Sequence, residues 1–245
     1  MNILCVIPAR YASTRLPGKP LADINGKPMI CRVYERAVQA RGLTGVLVAT
    51  DDRRVYDAVV GDGGQAMMTA ADHPTGTDRL AEVARVHTEA EAIINVQGDE
   101  PLIEPSVIEA LAAALSSDEH IQMVTVKTEI TNQAEIDNPN NVKVVTDKND
   151  FALYFSRSRL PYPRHEGAKV YKHIGIYGYT RSFLLQYAAL PPAPLERAES
   201  LEQLRVLENG FRIKVIETKS RFVGVDTSED LAMVNQIYRQ DFHSI

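Results

Sequence analysis

Three cationic side chains lie close together early in the chain, in the stretch PARYASTRLPGKPL at residues 8–21. They are Arg10, Arg15 and Lys19, and they follow the apolar run ILCVI, which is typical of a buried strand. Arginine can pair with two phosphate oxygens at once, whereas lysine supplies a mobile point charge. A solvated basic loop would tolerate the same residues. Their concentration directly after a strand nevertheless favours a site for a small anionic ligand.

Two aspartates also follow apolar runs, as residues at the carboxyl end of a strand would. Asp99 lies in NVQGDEPLI, directly after a glycine, and Asp226 lies in FVGVDTSEDL. Because Mg²⁺ binds through one or two carboxylates together with substrate phosphates, both are candidate metal ligands beside the basic loop. Alternatively, Asp99 orders its turn, and Asp226 caps a helix with Glu229 at the capping-box position.

A further candidate segment, DHPTGTDRL, follows the strand-like run QAMMTA. Gly76 would let a ligand approach the backbone closely, and Arg79 could reach back toward that ligand. Thr75 or Thr77 could cap the helix that follows. Helix-start chemistry by itself would explain most of this pattern.

Basic and aromatic residues occur together later in the chain, near the ends of predicted strands. Arg157, Arg159 and His173 could bind a polar ligand, because arginine pairs with a carboxylate and nearby hydroxyls can contact a sugar. The aromatic residues of this group are Tyr154, Tyr162, Tyr171, Tyr177 and Tyr179. Packed strands or a subunit interface would give the same enrichment in tyrosine.

Alternating apolar runs and helical patterns must position these residues. The runs ILCVI, VLVAT, AIINV and QMVTV alternate with helical patterns over 28–41, 52–61 and 105–116. This alternation predicts βαβ units and a mostly parallel, Rossmann-like sheet, in which ligands bind at the carboxyl ends of the strands. From about residue 128 the pieces VKVVTD, FALYFSR and HIGIYGY lack crossover helices, which predicts an antiparallel lobe.

The sequence therefore predicts an α/β fold with two lobes. Residues 1–127 and 211–245 would form the main α/β domain, because the strand-like RIKVIE and a helical pattern over 228–239 return to the first sheet. Residues 128–210 would form the smaller lobe. No flexible linker separates the two, so we expect them to pack together.

Composition argues against several classes of function. The net charge of −5 disfavours broad binding to nucleic acid, and no apolar stretch reaches the roughly 20 residues of a membrane-spanning helix. Cys5 and Cys31 have no disulfide context, which predicts a reducing, cytoplasmic setting. The six histidines lack zinc-ligand spacing. The first βα connection lacks G-x-G-x-x-G, which argues against a nicotinamide-dependent oxidoreductase.

The motifs together resemble one enzyme family over essentially the whole chain. They are similar to segments of the 3-deoxy-manno-octulosonate cytidylyltransferases, or CMP-Kdo synthetases, in IPARYASTRLPGKPL, NVQGDEP, ADHPTGTDRLAEV, ALYFSRS, HIGIYGY, LEQLRVL and GVDTSEDL. The resemblance implies a homodimer of nucleotidyltransferase fold that uses CTP, Mg²⁺ and the acidic eight-carbon sugar Kdo in lipopolysaccharide biosynthesis. It also implies that the main domain binds the nucleotide and that the smaller lobe binds the sugar and forms the dimer.

The resemblance also assigns roles to individual positions. It implies that the catalytic residues are Arg10, Lys19, Asp99 and Asp226, with Asp99 and Asp226 as the metal ligands. The implied nucleotide-binding residues are Pro8, Ala9, Arg10, Ser13, Arg15, Lys19, Ala71, Asp72, Thr75, Gly76 and Arg79. The implied sugar-binding residues are Gln97, Arg157, His173, Tyr177 and Glu202.

Other functions remain as alternatives on the sequence alone. The acceptor could be 8-amino-Kdo or another acidic sugar such as a sialic acid, because one or two pocket residues can distinguish a hydroxyl from an amine. A catalytically silent binding or regulatory protein could keep the same fold. The joint presence of the four implied catalytic residues argues against that last alternative.

Overall fold

The computed structural model describes residues 1–13, 15–165 and 167–242. Positions 14, 166 and 243–245, which belong to the predicted lobes, lie outside the described residues. The strands are β1 (Ile3–Ala9), β2 (Asp23–Ile24), β3 (Lys27–Pro28), β4 (Gly45–Thr50), β5 (Ala66–Met68), β6 (Ala92–Asn95), β7 (Met123–Glu129), β8 (Lys143–Thr146), β9 (Ala152–Ser156), β10 (Tyr171–Thr180) and β11 (Lys214–Glu217). The α-helices are α1 (Met29–Ala37), α2 (Arg53–Gly61), α3 (Gly76–Val86), α4 (Pro105–Ser117), α5 (Gln133–Ile136), α6 (Arg181–Ala189), α7 (Pro194–Glu199), α8 (Gln203–Glu208) and α9 (Ser228–Phe242).

The main sheet is mostly parallel and has the strand order β11-β7-β10-β6-β1-β4-β5. β1 pairs in parallel with β4 on one side and with β6 on the other, so that Val6 lies between Leu47 and Asn95. β4 pairs in parallel with β5, and β7 with β11. The predicted α/β fold with a mostly parallel sheet is confirmed.

Helices cover both faces of this sheet, which explains why its strands read as continuous apolar runs. On one face, Ile30 of α1 and Leu111 of α4 pack in a core with Ile7 of β1. On the other face, Leu80 of α3 and Phe183 of α6 join a second buried cluster. Among the described residues, no helix combines the length and apolar character that crossing a membrane requires.

Strand β10 connects the main sheet to a small antiparallel unit. It lies within the predicted lobe 128–210, yet its C-terminal half pairs antiparallel with β6 and its whole length follows β7, with a bulge between Ile174 and Tyr177. Lys172 pairs with Lys143 of β8, and β8 pairs antiparallel with β9. One long strand thus belongs to both regions, while the division into two lobes stays a prediction.

The sheet brings the two sequence-distant motifs to one edge. Because β1 and β6 are parallel neighbours, the segments that follow Ala9 and Asn95 emerge side by side. The chain before α9 then returns to the same edge, where the Val225 N–H donates to the Asp99 carbonyl at 2.9 Å. This backbone hydrogen bond places residue 226 beside residue 99.

Candidate active site

A cavity of about 410 Å³ opens at the carboxyl ends of β1 and β6. From the end of β1 and the segment after it, the residues that line it include Pro8, Ala9, Arg10, Ser13, Arg15 and Lys19. From the opposite wall, they include Gln97, Gly98, Asp99 and Asp226. We call this space the loop cavity. The structure brings the basic loop and both candidate metal ligands together, while their catalytic roles stay predictions.

Lys19 bridges the two aspartates at the floor of the loop cavity. Its Nζ lies 2.6 Å from Asp99 Oδ2 and 2.7 Å from Asp226 Oδ1. Arg15 adds a contact of 3.1 Å between its Nη1 and the other oxygen of Asp226. Burial lowers the pKa of Lys19, but the charges of the two aspartates and their hydrogen bonds outweigh it and raise the pKa overall. The ammonium group therefore stays protonated between two carboxylates.

The carboxylate of Asp226 is not used to cap α9. The Oδ2 of Asp230 accepts the N–H groups of Asp226 and Thr227 at 3.0 and 2.9 Å, and Thr227 Oγ1 accepts the Asp230 N–H at 3.2 Å. The capping role that the sequence left open for Asp226 and Glu229 therefore falls to Thr227 and Asp230. As a result, both oxygens of Asp226 are directed to Lys19 and Arg15.

The absence of a side chain at Gly98 lets the opposite walls of the loop cavity meet. A Cβ atom at this position would lie 2.9 Å from the Pro8 carbonyl oxygen, closer than real Cβ contacts allow. The glycine that precedes Asp99 therefore has a packing reason. It lets the segment after β6 approach the segment after β1.

Glu100 is a neighbouring acid to which the sequence gave no role. Its Oε2 is buried without a hydrogen-bond partner among the described residues. Burial and the charge of Asp99 raise the pKa of Glu100 to about 7. The signal for it in the sequence was only its position directly after Asp99.

Arg10 holds the backbone of the segment before α3. Its Nη2 donates to the carbonyl oxygens of His73 and Thr75, the latter at 3.3 Å. Thr75 caps α3 and forms a capping box with Asp78. Arg10 therefore connects the basic loop to the segment that contains the predicted nucleotide-binding residues Ala71, Asp72 and Thr75. Ala71 and Asp72 are exposed on that segment.

Arg79 does not line the loop cavity. Its side chain is fully buried, donates to Thr69 Oγ1, and has Nη2 3.6 Å from Asp51 Oδ1. Burial lowers the pKa of Arg79. The predicted nucleotide-binding residue thus contacts Thr69 and Asp51 and does not line the loop cavity.

A second cavity of about 290 Å³ adjoins the first. The predicted sugar-binding residues Gln97, Tyr177 and Glu202 line it, and Gly76 lies at its rim. Gln97 lines both cavities and donates through Nε2 to the Gly175 carbonyl at 2.9 Å. Because Gln97 forms the shared wall, molecules in the two cavities would lie next to each other. We call the second space the acceptor pocket.

Glu202 is the half-buried acid of the acceptor pocket. Its Oε2 accepts the Thr77 hydroxyl at 2.8 Å. Burial raises the pKa of Glu202, and the hydrogen bond from Thr77 opposes this shift. The pocket therefore offers acceptors for hydroxyl groups on a floor of tyrosine rings.

Two predicted sugar-binding residues lie outside the lining of the acceptor pocket. His173 Nε2 is 3.0 Å from Thr125 Oγ1, and burial lowers the pKa of His173 to about 3. Its ring packs edge-on against Phe155, with centroids 4.8 Å apart, and also contacts Tyr177. The Arg157 guanidinium group donates to backbone carbonyls next to the pocket. Both residues touch groups that support the pocket wall.

Sequence reasoning missed several residues of the acceptor pocket. They are Thr77, Asn95, Tyr187 and Gln203, with Thr77 considered only as a helix cap. Asn95 ends the apolar run AIIN, so its place at the end of a strand was a usable signal. Tyr187 comes from the buried side of α6, and nothing local in the sequence marks it as facing a pocket.

The pair Asp99 and Asp226 suits a magnesium ion. Both carboxylates already contact one cationic atom, Lys19 Nζ, so they lie within reach of a single ion. Among the described residues, no group of three or more His, Cys, Asp or Glu side chains could hold a metal. Two carboxylates within reach of one cation match the way Mg²⁺ binds together with substrate phosphates.

Known proteins resemble this chain over nearly its full length. The cytidylyltransferase family model matches residues 4–216. The 3-deoxy-manno-octulosonate cytidylyltransferase of Syntrophotalea carbinolica is 56% identical, over 96% of this chain and 97% of the relative. The enzyme of the same name from Fusobacterium nucleatum is 54% identical, over 96% of each chain.

Solved structures give the same result. A CMP:2-keto-3-deoxy-manno-octonic acid synthetase complexed with CTP superposes with a TM-score of 0.95 at 48% identity, covering 98% of this chain and 100% of that one. A cytidylyltransferase from Leptospira borgpetersenii shares the fold, with a TM-score of 0.61 at 17% identity. The chain therefore belongs to the cytidylyltransferase family.

Proposed function

We propose that this enzyme transfers a cytidylyl group from CTP to Kdo, giving CMP-Kdo and pyrophosphate for lipopolysaccharide biosynthesis. The observation that carries the proposal is the position of Gln97. It is shared by a cavity lined with cations and two aspartates and by a pocket lined with hydroxyl-binding groups. Relatives that are more than 50% identical over nearly their full length carry the name of this activity.

The triphosphate of CTP would occupy the loop cavity. Lys19 and Arg15 would neutralise phosphate charge there, and the pyrophosphate leaving group would keep these contacts as its charge grows. Arg10 would fix the segment 73–75, to which it already donates two hydrogen bonds. The exposed neighbours Ala71 and Asp72 would then lie where the cytosine base can reach the backbone.

The reaction would be an in-line displacement at the α-phosphorus. The anomeric hydroxyl oxygen of Kdo forms a bond to phosphorus, the bond to the bridging oxygen of the β-phosphate breaks, and the hydroxyl proton passes to solvent. Alignment of two bound substrates can supply roughly 7 to 11 kcal/mol of barrier reduction, against about 3 to 5 kcal/mol for one general base. The main task of the protein is therefore positioning and charge stabilisation.

Asp99 and Asp226 would hold Mg²⁺ at the loop cavity. When bound there, the ion supplies charge neutralisation at the phosphates and lowers the pKa of a coordinated hydroxyl group. Lys19 contacts the same two carboxylates, so its ammonium group must give up at least part of those contacts. It would then be free to contact the triphosphate.

The sugar would bind in the acceptor pocket through Gln97, Tyr177 and Glu202. Glu202 accepts a hydrogen bond from Thr77 and retains further acceptor capacity for a sugar hydroxyl. His173 and Arg157 would act on the sugar from behind the pocket wall. An acid in this position also favours an amine, so 8-amino-Kdo is the alternative acceptor that the pocket supports best.

The decisive experiment is product analysis with purified protein. CTP, Kdo and Mg²⁺ should give equimolar CMP-Kdo and pyrophosphate, detected by mass spectrometry and a coupled phosphate assay. Parallel reactions with 8-amino-Kdo and with a sialic acid identify the preferred acceptor from the ratio of kcat/KM values. If no pyrophosphate is released with any of these three sugars, the proposed function is wrong.

The enzyme would work in the cytoplasm as a homodimer. Exposed apolar side chains support the homodimer. Leu153 of the outer strand β9 is 62% exposed, and Tyr162, in the segment that follows β9, is 86% exposed. A strand edge with exposed apolar residues is a ready surface for another chain. Light scattering should give about twice the 27.2 kDa chain mass.

The substitution Leu153→Arg tests which surface forms the dimer. It should shift the mass toward the monomer, because a buried unpaired charge is costly. The matched change Val86→Arg, at a side chain that is 59% exposed at the end of α3, should leave the mass unchanged. A monomeric wild-type protein would rule the dimer out.

A further inference from the structure

Lys143 is a fully buried lysine that makes contact with backbone carbonyls. It lies on β8 with no exposed surface, and its Nζ donates to the carbonyl oxygens of Asn138 at 3.0 Å, Asn141 at 2.6 Å and Arg157 at 2.6 Å. Burial lowers the pKa of Lys143. All three donor positions of the ammonium group are thus used to hold two backbone segments.

Arg157 continues the chain of contacts from Lys143. Its Nε donates to the Glu199 carbonyl at 2.7 Å, Nη1 to the Pro139 carbonyl at 3.1 Å, and Nη2 to the Ser200 carbonyl at 3.3 Å. The two cations therefore share the loop 138–141, and Arg157 adds the end of α7. We call Lys143, Arg157 and the carbonyls they hold the carbonyl clamp.

The carboxylate of Glu199 closes the carbonyl clamp from the other side. It accepts the Ser156 hydroxyl at 2.6 Å and the Arg157 N–H at 2.8 Å. Side chain and backbone of Glu199 are thus both bound to the end of β9. The end of α7 is thus fixed to the antiparallel unit through Glu199 and Ser200.

The clamped turn leads directly into the acceptor pocket. Ser200 has φ 51° and ψ 52°, in the left-handed region that non-glycine residues adopt only when their surroundings hold them there. Ser200, Leu201 and Glu202 all line the acceptor pocket. The direction in which Glu202 enters the pocket therefore depends on a strained turn, and the clamp supplies contacts that hold it.

Among the described residues, the hydrogen-bond partners of Lys143 are carbonyl oxygens and not carboxylates, so its burial costs free energy. Desolvation opposes its charge, and the carbonyls it holds would each need another donor if it were removed. By contrast, the buried Lys127 of β7 donates to Thr146 Oγ1 at 3.0 Å and to Asp150 Oδ1 at 3.2 Å, away from the pocket. Lys143 thus holds backbone next to the acceptor pocket, whereas Lys127 binds side chains elsewhere.

From these contacts we propose that Lys143 is a positioning residue for the acceptor sugar. It fixes the Arg157 backbone, and through the Arg157 guanidinium group it sets the turn at Ser200 and the place of Glu202 in the acceptor pocket. The inference rests on the proposed function, since it concerns the pocket for Kdo. Among the described residues, no member of the carbonyl clamp lines the loop cavity, so we expect the effect to fall on the sugar.

Steady-state kinetics of Lys143→Met tests the proposal. Methionine keeps the bulk of the side chain but removes all three donors. We expect the KM for Kdo to rise about tenfold or more, while the KM for CTP stays within about threefold. The control is Lys127→Met, which removes a lysine of similar burial and should leave the KM for Kdo within about threefold.

Glu199→Ala provides a second route to the same turn. Glu199 is only partly buried, so this variant is expected to fold even where Lys143→Met does not. It should also raise the KM for Kdo and spare that for CTP. An unchanged KM for Kdo in a folded Lys143→Met or in Glu199→Ala, or an equal rise in Lys127→Met, would overturn the inference. If the wild-type protein makes no CMP-Kdo, the proposed function itself fails.

Discussion

Lys19, Asp99 and Asp226 form the smallest unit of the proposed chemistry. Each residue type was recognisable as a candidate, but the ion pairs of 2.6 and 2.7 Å join side chains that are 80 and 207 positions apart from Lys19. Among the described residues, Lys19 contacts both carboxylates, and Arg15 adds a second cation at Asp226. This unit accounts for two predictions about single side chains.

Asp99→Asn should abolish most turnover while leaving the substrate in place. The amide keeps the shape of the side chain but loses the charge that a metal at this site needs. We expect kcat to fall by about 10² or more, which corresponds to several kcal/mol of metal-dependent stabilisation, and CTP binding to weaken by less than about tenfold. Rate measurements together with equilibrium dialysis of CTP separate the two effects.

The control for Asp99→Asn is Asp57→Asn. Asp57 is an exposed aspartate of α2 that pairs with Arg53 at 2.8 Å and lies outside both cavities. Its substitution should leave kcat unchanged. Full turnover in Asp99→Asn would remove the metal assignment.

Lys19→Met should destabilise the metal-free protein and make it responsive to Mg²⁺. Without the ammonium group the two carboxylates repel each other, so the melting temperature in chelator should fall by about 2–4 °C. Added Mg²⁺ should recover most of that loss, because the ion can take the place of the lost cation. Differential scanning calorimetry with and without Mg²⁺ measures both changes.

Lys27 offers a matched control for Lys19. Its Nζ also bridges two carboxylates, those of Glu35 and Asp62, but outside the loop cavity. Lys27→Met should therefore lose stability without a specific response to Mg²⁺. An equal response of both variants would show that the acids at the loop cavity have no special affinity for the ion.

At the scale of elements, the parallel pairing of β1 and β6 creates the site. Their ends lie side by side, and the segment before α9 is joined to them by the hydrogen bond from Val225 to Asp99. The approach of the two strand ends requires a residue without a side chain at Gly98. The element-scale prediction concerns this contact.

Gly98→Ala should lower both stability and activity. The new methyl group would lie 2.9 Å from the Pro8 carbonyl oxygen, so the two strand ends must move apart. Overpacking of this kind costs about 1–3 kcal/mol, which urea unfolding can measure. By comparison, Gly61→Ala at the end of α2 meets no atom within 4 Å and should be neutral or stabilising. Equal stability of Gly98→Ala and wild type would show that the contact is not tight.

At the scale of the whole molecule, β10 joins the main sheet to the antiparallel unit. It pairs with β6, β7 and β8, so unfolding of either region must expose its residues. The most informative of these is His173, which is buried and neutral next to Thr125. The stability of the fold therefore depends on pH through this side chain.

The free energy of unfolding should fall as the pH is lowered from 6.5 toward 3. Burial holds the pKa of His173 at about 3 in the folded state, against 6.5 in the unfolded chain. Between these values only the unfolded chain takes up the proton, so acid favours unfolding. The contribution is fully present above pH 6.5 and amounts to about 2 kcal/mol of loss at pH 5.

Comparison of two histidine variants tests the pH dependence. In His173→Gln, the difference in unfolding free energy between pH 7 and pH 5 should shrink by about 2 kcal/mol. In His120→Gln, at an exposed position, it should stay as in wild type. Urea titrations at both pH values give the numbers, and an unchanged difference in His173→Gln would contradict the burial of a neutral ring.

The sequence by itself predicted the alternation of strands and helices, an anionic ligand and the types of residue that line the loop cavity. These features are local: a buried parallel strand needs an apolar run, and a phosphate site needs cations within a few residues of its end. The motifs PARYASTRLPGKPL and NVQGDEP also carry enough information to indicate the family.

Only the tertiary structure decided which of these side chains meet a ligand cavity. Arg79 was predicted to bind the nucleotide but lies fully buried beside Asp51, and His173 and Arg157 support a pocket wall instead of lining it. Tyr187 and Lys143 became visible only when α6 and β8 had been placed in the fold. The reason is physical: whether a polar side chain faces a cavity or a carbonyl depends on contacts between segments far apart in the chain, and local periodicity carries no record of them.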